Sequence, residues 1–367
     1  SKPITTSRAA ELMTVSVIMY KKLGISNTEI ALYTSWLYLP WVIKPLWSPL
    51  VDILGTRRRW IVAMQLLIGA GLAGVALTLP LDGFLRYSLA FLWLLAFSSA
   101  THDIAADGFY MLGLSENRQA FFVGVRSTFY RIAMITGQGL LVMLAGAIEN
   151  ATGDIRLSWI LTFYGLAGVF VLLFAYHLAM LPRPGSDRPR PMSGAGDVFR
   201  EFTDTFASFF RKDRIVVILA FLLLFRFAEA QLVKIAAPFL LDGAEVGGLG
   251  LSTVQVGFVY GTVGWAMLTV GGILGGVLAS RHGLKHWLWW MVAAMNLPNA
   301  VYVFLAFAQP ESIWVVNAAV AVEQFGYGFG FTAFMLYMIY VSRGEHQTAH
   351  FSICTGFMAL GMMLPGM

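Results

Sequence analysis

The stretch that decides the fold is "SPLVDILGTRRRW", residues 48–60, which lies between two long apolar runs. A related stretch, "GVLASRHGLKHW" at 276–287, lies between two further apolar runs in the second part of the chain. Aligned on Gly55 and Gly283, each stretch has a Leu before the glycine, a basic residue two positions after it and a closing Trp. The chain therefore contains an internal repeat, with the same loop placed between the same kinds of segment.

The composition indicates a membrane protein. Of the 367 residues, 58% are hydrophobic and 12% are charged, whereas a soluble domain has about 25% charged residues. The net charge of +5 does not indicate nucleic-acid binding, because most Lys and Arg fall in short loops between apolar runs, where they set topology. The single cysteine, Cys354, excludes an intrachain disulfide framework and a multi-cysteine metal site.

Nine apolar runs are long enough to cross a bilayer as helices, since a span needs about 20 residues. With a partial run at each end, we expect about eleven membrane segments of twelve or more in an all-α bundle, because barrel strands have only about 9–11 alternating residues. The chain starts with Ser1 and stops inside "GFMALGMMLPGM", so we expect it to be truncated at both ends. The complete runs are 28–54, 60–80, 86–113, 120–147, 157–181, 214–241, 252–280, 286–308 and 312–341.

The loops predict the orientation and the domain layout. Loops after alternate segments are rich in Lys and Arg, so we expect them to be cytoplasmic. The predicted parts are a six-helix half at 1–181 with an incomplete first helix, a cytoplasmic linker at 182–213, and a second half at 214–367 whose last helices are missing or incomplete. Two halves joined by a long linker are typical of a secondary transporter that rocks around a central site.

The linker itself has two parts. It begins with the Pro-rich "PRPGSDRPRPMSG" and continues with Phe199, Phe202, Phe206 and Phe209 at helical spacing. This spacing predicts an amphipathic helix. The helix lies either on the cytoplasmic face of the membrane or against the protein.

Both repeated loops resemble the G-x-L-A-D-R-x-G-R-K signature of the major facilitator superfamily, which follows helices 2 and 8. A carboxylate at a helix end can pair with arginines or with a neighbouring helix N-terminus, and such a pair can latch two halves in one state. Ser280 replaces the acid of the second copy, so we expect only the first latch to be charged; the alternative is that the arginines only set topology. The predicted cytoplasmic gate motif is Asp52, Gly55, Arg57, Arg58, Gly276, Arg281, Gly283 and Lys285.

A closer resemblance covers nearly the whole chain. The stretch "SSATHDIAADGFYMLG" at 98–113, with the Tyr130–Arg131 pair that follows, is similar to the AmpG muropeptide-permease family, which is related to acetyl-CoA transporters. His102 stands where that family has Gln. The resemblance implies proton-coupled import of anhydromuropeptides or their sugar core across a bacterial inner membrane; acetyl-CoA-like or other amphiphilic solutes are the alternative cargo.

The acidic residues of this stretch need partners. Asp103 and Asp107 are four residues apart and share one helix face, and each ionised Asp near the bilayer centre costs about 2.5–3.5 kcal/mol. An Asp balanced between burial and a nearby Arg can take up and release a proton; a static salt bridge is the alternative. The predicted proton-coupling cluster is Asp103, Asp107, Arg126, Arg131 and Glu323.

Other polar side chains within apolar runs predict a substrate cavity. Arg226 and Glu229 are three residues apart and can pair along one helix, whereas an intramembrane Glu323 indicates function. The predicted cavity residues are His102, Tyr130, Gln138, Arg226, Glu229, Gln324 and Trp36.

Two other classes of function fit the sequence less well. An intramembrane enzyme would use His102, Asp103 and Asp107, but His102 points about 100° away from Asp103 around a helix. An ATP-driven pump would need the G-x-x-x-x-G-K-[ST] loop, which the sequence lacks. We therefore expect a monomeric transporter with no cofactor or metal, whose partners are a small-molecule solute, protons and the lipid bilayer, and not nucleic acid.

Overall fold

The computed structural model describes residues 8–123, 125, 141–189 and 194–363. Among these residues every regular element is helical and none is a strand, which confirms the predicted all-α class. The α-helices include Arg8–Lys22, Asn27–Ser35, Leu39–Ile43, Ser48–Ile53, Arg57–Thr78, Phe84–Gly113, Leu141–Thr152, Ile155–Met180, Ala195–Phe210, Ile215–Leu224, Phe227–Leu241, Thr253–Phe258, Trp265–His282, Leu284–Asn296, Ala300–Ala308, Ile313–Val341 and Gln347–Met363.

In the described ranges, five helices are both long and apolar enough to cross a membrane. They are Arg57–Thr78, Phe84–Gly113, Ile155–Met180, Gln255–His282 and Leu284–Ala308. The second has 30 residues, which correspond to about 45 Å at 1.5 Å per residue. It is therefore longer than the roughly 30 Å hydrocarbon core of a bilayer.

The structure divides several of the predicted continuous runs, including 286–308 at the 3₁₀ turn Leu297–Asn299, and two of the divisions carry a basic residue. The run 28–54 is divided into short helices by the 3₁₀ turns Trp36–Tyr38 and Lys44–Leu46, in a segment that carries Pro40 and Pro45, and proline removes a helical hydrogen bond. The run 214–241 is interrupted at residues 225–226. Both interruptions place a cationic residue, Lys44 or Arg226, at a helix break.

The first of two compact units contains the described parts of 1–113, 129–208 and 344–352. Here the helix Arg57–Thr78, called the gate helix, packs between Phe84–Gly113, called the acidic helix, and Ile155–Met180. Gly71 and Gly74 of the gate helix allow close approach, because a Cβ at either would overlap Leu95 or Phe91 of the acidic helix. The buried core of this unit includes Met19, Leu37, Val75, Leu79, Leu92, Trp159 and Phe163.

The second compact unit contains the described parts of 114–128, 209–343 and 353–367. Its central contact joins Trp265–His282 to Ile313–Val341, called the glutamate helix. A Cβ at Gly271 or Gly328 would collide with the backbone of the opposing helix, so small residues let these two helices touch. The helix Gln347–Met363, called the latch helix, begins in the first unit, and the predicted domain boundaries stay a prediction.

The predicted amphipathic linker helix is present at Ala195–Phe210 and is called the linker helix. Thr205 and Phe209 are buried against the protein, whereas the Phe199 side chain is exposed. The helix thus packs on the protein along one side and leaves part of its phenylalanine face uncovered. Its position on a membrane surface stays a prediction.

Candidate functional site

A buried ion pair lies in the first unit. Lys44 Nζ is 2.7 Å from Asp103 Oδ2, and the two side chains are 6% and 0% exposed. Lys44 is the first residue of a 3₁₀ turn, and Asp103 lies ten residues before the end of the acidic helix, which corresponds to about 15 Å. Two opposite charges are thereby held together away from the helix end.

Two further ionisable residues lie close to Asp103 along the acidic helix. His102 and Asp107 are both buried, and Asp107 lies one turn beyond Asp103 on the same face. Arg126 and Arg131, the predicted partners, lie outside the described residues, as do Tyr130 and Gln138. Sequence reasoning missed Lys44, although a Lys beside Pro45 inside the run 28–54 was a signal that could have found it.

The first predicted gate motif contains a buried ion pair. Arg57 Nη2 is 2.7 Å from Asp52 Oδ1, and both side chains are buried. The Nε–H of Arg57 also donates to Thr348 Oγ1 at 3.2 Å. Asp52 comes from the short helix Ser48–Ile53, so Arg57 joins this helix, the gate helix and the first turn of the latch helix.

The neighbouring residues of this motif also have partners. Arg58 Nε donates to the carbonyl of Leu181 at 3.1 Å, and its Nη2 donates to the carbonyl of Leu178. Both carbonyls lie at the C-terminus of the helix Ile155–Met180, where basic side chains commonly satisfy free carbonyls. Thr56 caps the gate helix by accepting from the Arg59 amide. Gly55 is buried beside Trp60, whose Nε1 would lie 3.2 Å from an added Cβ.

The second copy of the motif has no such ion pair in the part of the chain that the structure describes. Arg281 and Lys285 are exposed, and neither forms an ion pair with a described residue. Ser280, at the position of the acid, donates to the carbonyl of Val277 in its own helix. Gly276 is buried in helix packing, and Gly283 ends that helix at φ 80°, a conformation that favours glycine.

The second unit holds its own charge cluster. Arg226 donates to both Glu229 oxygens, at 2.7 and 2.8 Å, and to the Tyr327 hydroxyl at 3.0 Å. The guanidinium also lies 5.0 Å from the ring centroid of Phe331, within the range of a cation–π contact. The predicted pairing of Arg226 with Glu229 is thus present, while Tyr327 and Phe331 were missed because single aromatic residues are common in apolar helices.

Glu323 lies on the glutamate helix, one turn before Tyr327. Its buried carboxylate accepts from the side-chain amide of Gln324 at 2.8 Å. In the same unit the hydroxyls of Tyr260 and Tyr302 are hydrogen-bonded to each other. Trp36, in contrast, is 56% exposed in the first unit, and the structure gives it no ring contact with a described residue.

These features define the class of the protein. No group of three or more His, Cys, Asp or Glu residues among the described positions could hold a metal ion. The geometry instead provides buried ion pairs and hydrogen bonds beside long apolar helices. Such intramembrane charges are typical of proteins that move solutes or protons across a bilayer.

The chain belongs to the Major Facilitator Superfamily, whose family model matches residues 5–365. It is therefore a multi-pass integral membrane transporter and not an enzyme. The anhydromuropeptide permease of Escherichia coli is 25% identical over 368 residues, which cover 99% of this chain and 69% of the permease. The predicted AmpG-like relationship is thereby confirmed.

Two solved structures share the fold. The transporter FucP in its outward conformation matches with a TM-score of 0.58 and 17% identity, over 98% of this chain and 95% of FucP. The proton:xylose symporter XylE, bound to 6-bromo-6-deoxy-D-glucose, matches with a TM-score of 0.61 and 12% identity, over 98% of this chain and 85% of XylE. At this identity the likeness establishes the fold alone, which agrees with the predicted helical bundle.

Proposed function

We propose that this protein imports anhydromuropeptide-like solutes together with protons, by alternating access, in a bacterial inner membrane. The observation that carries the proposal is the Lys44–Asp103 pair, 2.7 Å apart and almost inaccessible. A buried ion pair is weak evidence for stability, because desolvation offsets the attraction, whereas an ionisable residue inside a membrane indicates function. The similarity to the anhydromuropeptide permease supports the cargo.

The pair offers a direct way to couple a proton to an anionic solute. A proton on Asp103 neutralises the carboxylate that balances the Lys44 ammonium. A carboxylate of the solute can then replace it beside Lys44. Protonation of Asp103 alone removes the negative charge of this pair, and binding of a solute carboxylate alone adds a second negative charge beside Lys44. Because a buried pair that loses one charge is destabilised by about 3–5 kcal/mol, proton and solute bind together. In this scheme Asp103 carries the proton, Asp107 and His102 adjust the site, and Arg126 and Arg131 are further partners.

The second unit has a charge cluster of its own, and the chemistry of this cluster suits a sugar. Arg226, held by Glu229 and Tyr327, presents a fixed cation, and Phe331 presents an aromatic face beside it. Aromatic faces and fixed hydrogen-bonding groups suit sugar rings. Glu323 and Gln324 extend this polar surface by one turn. The charged latch of Asp52, Arg57 and Thr348 closes the cytoplasmic gate during the cycle.

Uptake into proteoliposomes tests the proposal. The whole gene product is reconstituted and given the radiolabelled sugar core of an anhydromuropeptide, with and without an imposed pH gradient. We expect gradient-driven uptake in the wild type, its loss in Asp103→Asn, and no change in Asp204→Asn, an exposed acid of the linker helix. Full proton-driven uptake in both Asp103→Asn and Asp107→Asn would show that neither residue couples protons.

A cell assay tests the cargo separately. The protein should restore muropeptide recycling to a bacterium that lacks its permease. Failure with good membrane expression would refute this cargo and leave the transporter class intact.

A further inference from the structure

We infer that the linker is a working part of the gate: it clamps the gate helix to the latch helix and holds the Arg57 latch closed. One end of this clamp is Asp187, and the other end is Thr205 with Ser208. The inference rests on the proposed alternating access, because a latch has a role only in a protein that opens and closes. It adds a component that lies between the two repeats of the sequence and has no counterpart in the repeated motif.

Asp187 fixes the first end of the linker. Its carboxylate is buried, and its two oxygens accept from the backbone amides of Arg57 at 2.8 Å and of Arg58 at 3.0 Å. These amides start the gate helix, where N–H groups have no partner within the helix. Negative charge is also favourable there, because the helix dipole is positive at this end. The linker is thus attached to the gate helix by two charge-assisted hydrogen bonds.

The same carboxylate positions the latch arginine. Arg57 Nη2 faces Asp52 at 2.7 Å, and its Nη1 lies 3.7 Å from Asp187 Oδ1. With a carboxylate at each of these two nitrogens, the third nitrogen, Nε, is directed to Thr348 Oγ1 at 3.2 Å. A planar guanidinium held at two points has a defined orientation. Asp187 is therefore a positioning residue for the latch.

The linker helix fixes the second end to the latch helix. The hydroxyl of Thr205 lies 3.0 Å from His346 Nδ1, and the hydroxyl of Ser208 lies 3.1 Å from His350 Nε2. His346 and His350 stand on either side of Thr348 in the sequence. The linker thus holds the same helix start that Arg57 contacts directly.

A connection with two anchors has a measurable signature. While both anchors are formed, each one holds the two groups of the other anchor close together, at a high effective concentration. Complete loss of either anchor disconnects the gate helix from the latch helix. Loss of the other anchor as well then does not raise the rate of latch opening any further. Two unrelated local contacts would instead contribute independently, and their effects on latch opening would multiply.

The opening of the latch can be measured at Ser352. This residue is buried and follows Thr348 by four positions, so it lies on the same helix face. Ser352→Cys in a Cys354→Ser background leaves one thiol within residues 1–367, where Cys354 is the single native cysteine, and any cysteine elsewhere in the gene product is replaced by serine. The rate at which a membrane-impermeant thiol reagent modifies this cysteine, in nanodiscs and without solute, then reports how often the latch opens.

The clamp predicts a set of labelling rates. Asp187→Asn, which removes the charge, should raise the rate about tenfold, as expected for loss of a charge-assisted bond. Thr205→Val removes one hydrogen bond of the second anchor and leaves the Ser208–His350 contact in place. It therefore weakens this anchor only in part and should raise the rate about threefold. Asp204→Asn is the matched control, because this linker acid is exposed and lies 3.9 Å from Arg200, and it should leave the rate unchanged.

The double variant decides between a clamp and separate contacts. Asp187→Asn with Thr205→Val should label at the rate of Asp187→Asn alone, whereas independent contacts give the product, about thirtyfold. The product, or an unchanged rate in Asp187→Asn, overturns the inference. Should Asp187→Asn fail to fold, Thr205→Val and Ser208→Ala apply the test from the other end: each must speed labelling about threefold, and an unchanged rate in both refutes the clamp. Because no solute is present, a failure to transport the tested cargo bears on the proposed function alone.

Discussion

Removal of one member of the Lys44–Asp103 pair should destabilise the protein far more than removal of both. In Asp103→Asn the Lys44 ammonium stays buried beside a neutral amide, and in Lys44→Met the Asp103 carboxylate stays buried beside a thioether. Breaking a buried pair from one side costs about 3–5 kcal/mol, because the remaining charge loses this ion pair while it stays buried. In the double variant neither charge remains.

The geometry sets the size of the effect. At the 2.7 Å that separates Lys44 Nζ from Asp103 Oδ2, two unit charges attract by about 6 kcal/mol at an effective dielectric constant of about 20. Each single variant loses this attraction and keeps most of the desolvation penalty of the remaining ion. The double variant loses both terms, and replacement of a buried pair by neutral groups is often close to neutral in stability. We therefore expect a coupling free energy of about 5 kcal/mol or more between the two positions.

The assay is a double-mutant cycle on the free energy of unfolding, measured by denaturant titration in mild detergent with tryptophan fluorescence. The matched control is the pair of Lys22 and Glu149, 3.1 Å apart with side chains 51% and 23% exposed. The same cycle there should give less than about 1 kcal/mol, because solvent screens exposed pairs. If Lys44 and Asp103 couple by no more than the control pair, the reasoning from burial is wrong.

Three further predictions concern packing, the second charge cluster and capping. Gly108→Ala should destabilise the fold by about 1–3 kcal/mol, because a methyl group there would overlap the Thr348 side chain. Gly113→Ala is the control and should leave the stability unchanged, because an added Cβ there has nothing within 4 Å. Thermal melts of both variants check this difference. Arg226→Gln should lower the free energy of unfolding by about 3–5 kcal/mol, because Glu229 stays buried without its bidentate partner. Tyr327→Phe removes one hydrogen bond and should lower it by about 1 kcal/mol. Equal losses in denaturant titrations would contradict this ranking. Thr56→Ala removes the cap of the gate helix and should lower the free energy of unfolding by about 1 kcal/mol. A free energy of unfolding equal to that of the wild type would show that Asp187 alone caps the helix.

The apolar runs predicted most helices within a few residues. The run 86–113, for example, corresponds to the helix Phe84–Gly113. This agreement has a simple cause: backbone groups in a bilayer must be satisfied within the segment, so a long apolar run has few alternatives to a helix. The prediction was less accurate for 28–54, where prolines and 3₁₀ turns divide the run, and for the break at residues 225–226, where the sequence carries no proline or glycine.

Sequence reasoning was also uneven within the candidate site. It identified Asp52 and Arg57 as a latch through the repeated motif and identified Arg226 with Glu229 through their spacing. Both pairs lie within five residues in the sequence, so the short stretch of backbone between them limits the distance between the side chains. Their roles in transport stay predictions.

The sequence by itself determined that this is a helical membrane protein with an internal repeat, and that Asp103 needs a partner. Only the tertiary structure decided that Lys44, 59 residues earlier, is such a partner and that Asp187, 130 residues after Arg57, holds the gate helix. The reason is physical. The period of an apolar run fixes which residues share a helix face, but the pairing of distant charges depends on how separate helices rotate and pack against each other, and no local pattern records that.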